Sequence, residues 1–81
     1  MSFGADPALF DVLRAVRVRL ARDRGVPPYV IFHDKTLQEM AERRPSTLED
    51  LHDIYGVGVR KAADFGEAFL EAIRTFRKPE L

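Results

Sequence analysis

A short glycine-containing turn between two helical patterns constrains this chain more than any other feature of its sequence. The run Tyr-Gly-Val-Gly-Val-Arg-Lys places Gly56 and Gly58 on either side of one apolar residue, Val57. Glycine allows backbone conformations that other residues avoid, and without a Cβ it lets another group come close to the backbone. Arg60 and Lys61 then open the next helix. The free N–H groups and the dipole at the start of that helix favour the binding of an anion.

Length and composition favour one globular domain. The chain has 81 residues, of which 46% are hydrophobic and 32% are charged, a balance typical of folded proteins. It contains no cysteine, which excludes a disulfide framework and a thiolate metal site and fits a reducing compartment. No apolar stretch approaches the ~20 residues of a membrane span. We therefore expect no contact with a membrane.

The charges of the chain balance overall but are unevenly distributed. There are 13 basic and 13 acidic residues, which argues against strong nonspecific binding of nucleic acid. Residues 25–54 contain three basic and six acidic residues, a net charge of −3. Any surface for nucleic acid must therefore be a local patch.

Apolar residues at helical spacing predict a first helix that begins at Pro7, with Asp6 as its N-cap, and ends at Gly25. The arginines of this helix are expected on its flanks and back. Residues 26–32 contain two consecutive prolines, so we expect an extended segment packed across the bundle. The apolar stripe of the first helix comprises Leu9, Val12, Leu13, Val16 and Leu20.

Two further helices are predicted before the glycine turn. Asp34 is expected to be the N-cap of a helix that runs to about Arg43 and is closed by Pro45. Ser46 and Glu49 have the spacing of a capping box for a third helix, whose inner face would carry Leu48, Leu51 and Ile54.

After the turn, apolar residues keep helical spacing from Gly58 to Phe76. We expect one long helix or two nearly collinear ones, with Gly66 as a kink or a close-packing point.

No convincing strand pattern occurs, so the sequence predicts an all-α fold: a small bundle of about five helical segments with a helix-hairpin-helix-like turn. We expect one monomeric domain over residues 6–77, with residues 1–5 and 78–81 as frayed termini. The predicted core includes Leu13, Val16, Leu20, Phe32, Leu37, Met40, Leu51, Ile54, Phe69 and Ile73.

Several motifs together are similar to those of HRDC domains, the module named for helicase and RNase D C-terminal regions. The similarity is greatest to the version found in bacterial RecQ DNA helicases. The motifs are Leu-Phe at 9–10, Val-Pro-Pro-Tyr-Val-Ile-Phe at 26–32, Arg-Pro at 44–45, Gly-Val-Gly-x-Arg-Lys at 56–61 and Gly-x-x-Phe-Leu-x-x-Ile at 66–73.

The resemblance implies a non-catalytic accessory domain, without a cofactor, of a bacterial, cytoplasmic and nucleoid-associated helicase. Such a domain binds single-stranded or junction DNA weakly, or contacts other domains of its parent. The resemblance implies a single-strand-binding role for Tyr29, the aromatic residue after the two prolines, and a basic role for Arg60 and Lys61. This chain has Tyr55 where many relatives have proline before the first glycine.

The residue types support a DNA-binding hypothesis independently. A base that stacks on an exposed aromatic ring such as that of Tyr29 gains ~1–3 kcal/mol whatever its identity. The alternative is that this ring is buried, that the cations are simply solvated and that the glycines serve only the turn. The candidate DNA-binding residues are Tyr29, Lys35, Gly56, Val57, Gly58, Arg60 and Lys61.

A second hypothesis is an interaction module that binds another domain or protein and regulates the helicase without direct DNA contact. Its face would be the acidic helix that carries Glu49, Asp50 and Asp53. An enzyme is not predicted, since the chain has no nucleophile–base pair, no P-loop and no carboxylate pair on one face. The His-Asp dipeptides at 33–34 and 52–53 do not predict a metal site, because adjacent residues on a helix do not face each other.

Overall fold

The computed structural model describes residues 5–77, which form a bundle of five α-helices and contain no β-strand. The all-α prediction is therefore confirmed. The helices are α1 (Pro7–Arg24), α2 (Pro28–Ile31), α3 (Asp34–Arg43), α4 (Leu48–Leu51) and α5 (Val59–Thr75). Helix α1 is the central element, because α2, α3 and α5 all pack against it, while α4 packs against α5.

Helix α1 begins and ends where the sequence predicts. The Asp6 carboxylate accepts a hydrogen bond of 2.9 Å from the N–H of Ala8, and Pro7 occupies the first helical position. Gly25 ends the helix in the left-handed conformation, with φ of 66°. Its N–H donates to carbonyl groups of the last turn, which satisfies acceptors that the helix end would otherwise leave free.

The proline segment is not extended throughout, so that prediction is wrong. Residues Pro28–Ile31 form one helical turn, α2, with Pro28 at its first position and Pro27 as the extended N-cap. Proline starts a helix as readily as it interrupts one, because the first helical N–H has no intrahelical partner and the fixed φ already suits a helix. Extended backbone returns at Phe32, where φ is −152°.

The caps of α3 and α4 each lie one residue from the predicted position. His33, rather than Asp34, is the N-cap of α3. The N-cap of α4 is Thr47 rather than Ser46, and its Oγ1 accepts a hydrogen bond of 3.0 Å from the N–H of Asp50. The Asp50 carboxylate in turn accepts from the Ser46 hydroxyl at 3.3 Å. Because serine and threonine both favour the N-cap position, two such neighbours leave the choice to tertiary packing.

Helix α5 is one continuous helix, and Gly66 is a close-packing point within it. A Cβ added at Gly66 would lie 2.8 Å from a methyl carbon of Leu48 and 3.0 Å from one of Leu51. The missing side chain therefore lets α4 lie directly on α5. Leu48 is 40% exposed, so only part of its side chain belongs to the inner face that the sequence predicts.

Aromatic side chains fill the centre of the core. The Phe32 ring contacts the rings of Phe65 and Phe69 edge to face, with centroid distances of 6.2 and 5.2 Å. Every residue of the predicted core is buried except Leu20 and Ile73, which are partly buried and pack against it.

A buried arginine joins α1 to the connection between α2 and α3. Arg17 is 8% exposed, although the sequence placed it on the solvated side of α1. Its Nη1 donates a hydrogen bond of 2.9 Å to the Phe32 carbonyl, and its Nη2 lies 2.8 Å from the Asp34 carboxylate. Both ends of this connection are thereby tied to the central helix.

We expect Arg17→Met to lower the free energy of unfolding by about 1–3 kcal/mol, because the Phe32 carbonyl would lose its donor in a buried environment. Methionine preserves much of the aliphatic stem and the helix propensity. The matched variant Asp34→Asn removes the charge of an exposed carboxylate and should cost less than about 1 kcal/mol. Urea unfolding followed by circular dichroism measures both values. Equal losses for the two variants would show that the bond to the carbonyl contributes little.

Candidate nucleic-acid interface

The short helix α2 presents three side chains to solvent, those of Pro28, Tyr29 and Val30. Tyr29 is 59% exposed and Val30 is 39% exposed, whereas Ile31 and Phe32 are buried. Because the two buried residues supply the packing of this segment, the tyrosine ring remains available on the surface.

On one side of α2, Tyr29 lies in a shallow depression beside the start of α3. Its ring stacks on that of His33, with the centroids 6.0 Å apart and the planes at 25°. Lys35, Asp34 and Arg17 line the same depression. The Asp34 carboxylate is paired with Arg17, so Lys35 is the cation there without a salt bridge among the described residues.

On the other side of α2, Val30 lies in a groove with a basic rim. Arg24, Arg60 and Lys61 surround an apolar floor, and the groove also contains one acidic residue, Asp64. Each of these basic side chains except Arg60 lies over an aromatic ring. The Arg24 guanidinium is 4.6 Å from the Phe65 ring centroid, and the Lys61 ammonium is 5.9 Å from that of Phe32. The fold therefore brings the start of α5 against α2.

The glycine turn is built by close approach to α3. Gly56 has φ of 85°, and a Cβ added there would lie 2.5 Å from the Thr36 Oγ1. The positive φ and the lack of space for a Cβ both require glycine at this position. Val57 is buried, and its N–H donates to the Ile54 carbonyl at 3.2 Å, so that N–H is already used within the turn.

Gly58 has a different role from Gly56. It is the N-cap of α5, with φ of −85° and no side-chain hydrogen bond at the cap. A Cβ added there would meet no atom within 4 Å. No side chain therefore caps the first amides of α5, the helix that begins with Val59, Arg60 and Lys61.

Lys35 contacts a residue that the sequence-based list of candidates omitted. Its ammonium lies 5.1 Å from the ring centroid of Tyr55, which is 65% exposed. The list also omitted His33 and Arg24, which the fold places beside Tyr29 and Val30. These residues are aromatic or basic, the types that a DNA-binding site uses, but the sequence did not show which of them would be neighbours.

The predicted acidic face on and after α4 has mixed charge. Glu49, Asp50 and Asp53 are all exposed. Arg43 and Arg44, however, line the same depression as Asp50 and Asp53. A charged partner, whether a phosphate or a basic surface, therefore meets both signs of charge there.

Residues 5–77 contain neither a candidate metal site nor a candidate membrane span. No group of histidine, aspartate and glutamate side chains there could hold a metal ion. In the same range, no helix combines the length and the apolar character needed to cross a bilayer.

The chain is similar to segments of several DNA helicases. It is 43% identical over 70 residues to the ATP-dependent DNA helicase RecQ of Bacillus subtilis, covering 86% of this chain and 12% of that protein. It is 41% identical over 69 residues to the RecQ of Haemophilus influenzae, covering 85% of this chain and 11% of that protein. It is also 36% identical over 69 residues to the ATP-dependent DNA helicase UvrD2 of Mycobacterium tuberculosis, covering 85% of this chain and 10% of that protein. The matched segment is thus a small part of each helicase.

A solved structure shares the fold. The third HRDC domain of Deinococcus radiodurans RecQ superposes with a TM-score of 0.80 at 36% identity, covering 83% of this chain and 88% of that one. Residues 6–73 match the family model of the HRDC domain. That domain is an accessory part of RecQ helicases and is not catalytic by itself. On the sequence match, the relatives and the shared fold, this chain belongs to the HRDC domain family.

Proposed function

We propose that this domain binds single-stranded or junction DNA weakly and so modulates how a RecQ-like parent helicase holds its substrate. One observation carries the proposal: the exposed ring of Tyr29 lies on a turn with Lys35 on one side and Arg60 and Lys61 beyond the other. An aromatic ring and flanking cations are the two components that nonspecific single-strand binding needs.

The two components act on different parts of the strand. A base stacks on the Tyr29 ring through its π-face, which every base has, so no sequence preference follows. Arg60 and Lys61 neutralise phosphates, and the uncapped amides of α5 add donors beside them. Cations at a helix N-terminus oppose its dipole, and a bound phosphate relieves that repulsion.

The affinity should be low, because the chain has no net charge and few cations reach the strand. We expect a dissociation constant of about 10⁻⁴–10⁻⁶ M, the range of nonspecific contacts at physiological salt. Such a weak site is useful when it is tethered to a motor domain. Once the motor domain holds the DNA, the contact between this domain and the same DNA is intramolecular.

We further propose that the domain is monomeric and that its parent acts on the nucleoid in the bacterial cytoplasm.

Variants at Tyr29 and at the start of α5 should weaken binding in different ways. Tyr29→Ala should reduce affinity for oligothymidylate by about 1–3 kcal/mol without changing the salt dependence, because it removes stacking alone. The double variant Arg60→Ala/Lys61→Ala should reduce the slope of log K against log salt concentration by about 1–2, because it removes two phosphate contacts. Fluorescence anisotropy of a labelled oligonucleotide at several salt concentrations measures both effects.

Arg74→Ala/Arg77→Ala is the matched control, since it removes the same charge at the far end of α5 and just beyond it. It should leave the salt slope of binding nearly unchanged. If the control and the Arg60/Lys61 variant lose the same slope, DNA binding follows total charge rather than the proposed surface.

A second candidate function is contact with another domain through α4 and the residues that follow it. Glu49 and Asp53 are exposed and form no salt bridge among the described residues, and Leu48, which precedes Glu49, is 40% exposed. Exposed carboxylates next to an apolar side chain suit a basic surface with an apolar centre. This contact would regulate the parent without touching DNA.

The second function predicts that Glu49→Lys/Asp53→Lys in the parent helicase changes DNA affinity in the same direction as deletion of the whole domain. Asp50 is kept, because its carboxylate holds Ser46 at the start of α4. The control Asp11→Lys/Glu42→Lys makes the same change of charge at exposed positions elsewhere. An unchanged parent in the first variant, or an equal change in the control, would exclude a specific contact through this face.

A further inference from the structure

Tyr55 is an exposed aromatic residue that the fold does not use for packing. At 65% exposure it is more accessible than Tyr29, and its hydroxyl has no hydrogen bond to a described residue. It lies immediately before Gly56, so the turn that approaches α3 also positions the backbone of Tyr55. An exposed aromatic residue at a rigid position is available to a planar ligand.

Lys35 connects Tyr55 with the Tyr29 depression. Its ammonium lies 5.1 Å from the Tyr55 ring centroid, and its side chain also lines the depression that contains Tyr29 and His33. One cation is therefore shared by two exposed tyrosines.

The charges around Lys35 leave its ammonium free for a phosphate. The Asp34 carboxylate is 2.8 Å from Arg17, and the Glu39 carboxylate is 3.6 Å from Arg43. Within residues 5–77, Lys35 itself has no salt-bridge partner. Its nearest acidic neighbours along α3 are thus already paired, and its contact with Tyr55 is a cation–π contact alone.

We propose that Tyr55 is a second base-stacking residue, and that Lys35 binds a phosphate of the strand between the bases held by Tyr55 and Tyr29. The inference rests on the proposed single-strand binding and extends it beyond α2 to the glycine turn. Stacking of a base on an aromatic ring is stronger than a cation–π contact at an exposed site. A base of a bound strand can therefore replace the Lys35 ammonium on the Tyr55 ring, and the ammonium can then bind a phosphate.

The composition of the chain allows each tyrosine to be observed separately. The protein has two tyrosines and no tryptophan, so Tyr29→Phe leaves Tyr55 as the single tyrosine fluorophore, and Tyr55→Phe leaves Tyr29. Phenylalanine keeps the aromatic ring, so each variant retains both stacking surfaces, and its own dissociation constant is measured by anisotropy. Each is titrated with unlabelled oligothymidylate, with N-acetyltyrosinamide as the correction for absorption by the DNA.

We expect saturable quenching of tyrosine fluorescence in both variants, with the dissociation constant that anisotropy gives. Quenching of Tyr29 without quenching of Tyr55 would overturn this inference and leave the proposed function standing. No quenching in either variant would overturn both. Quenching of Tyr55 alone would support this inference and remove Tyr29 from the proposed site.

An affinity measurement provides the second readout. Tyr55→Ala should weaken binding about fivefold or more, the lower end of the effect of losing one stacked base. His52→Ala is the matched control, because it removes another exposed ring at a position outside the proposed surface. Equal affinities for Tyr55→Ala and the unmodified protein would overturn the role of Tyr55.

Discussion

The position of the exposed surface depends on the two bonds that Arg17 makes from the central helix. By holding the Phe32 carbonyl and the Asp34 carboxylate, Arg17 fixes the chain on both sides of His33. The Phe32 ring then points into the core against Phe69, and the preceding helical turn faces solvent. A guanidinium suits this task because its planar fork can serve a carbonyl and a carboxylate at the same time.

A second constraint positions the glycine turn relative to α3. The close approach of Gly56 to Thr36 holds the glycine turn against the first turn of α3. This contact places the starts of α3 and α5 on either side of α2, so that Lys35, Tyr29 and the Arg60–Lys61 pair belong to neighbouring depressions. The glycines thus contribute to the candidate site mainly through geometry, and at Gly58 the first amides of α5 have no side-chain cap.

Local signals in the sequence predicted much of this fold, and tertiary contacts account for what they missed. The limits of α1 followed from Asp6, Pro7 and Gly25, because caps and helix ends are encoded within a few residues. The helical turn after Pro27 was missed because proline is compatible with both an extended segment and a helix start. Burial of Arg17 was missed because its two partners lie beyond the end of its own helix.

The candidate site shows the same division between local and tertiary information. Tyr29 was a candidate from its place after the two prolines, but the sequence left open whether its ring is exposed, which the packing of Ile31 and Phe32 decides. The contact between Lys35 and Tyr55, and the arginines beside the acidic residues of α4, join residues from different helices and loops. No spacing rule within one helix predicts such pairs, since they arise from how the helices pack.

In the proposed function, single-stranded DNA contacts one continuous surface formed by α2, the start of α3 and the glycine turn. The most direct test is an NMR titration of the isotope-labelled domain with oligothymidylate at low salt, with backbone amide shifts followed residue by residue. If DNA binds this surface, the largest shift changes fall within residues 28–35 and 55–61, and those of residues 47–53 remain small. Largest changes at residues 47–53, or an even distribution along the arginines of α1, would contradict it.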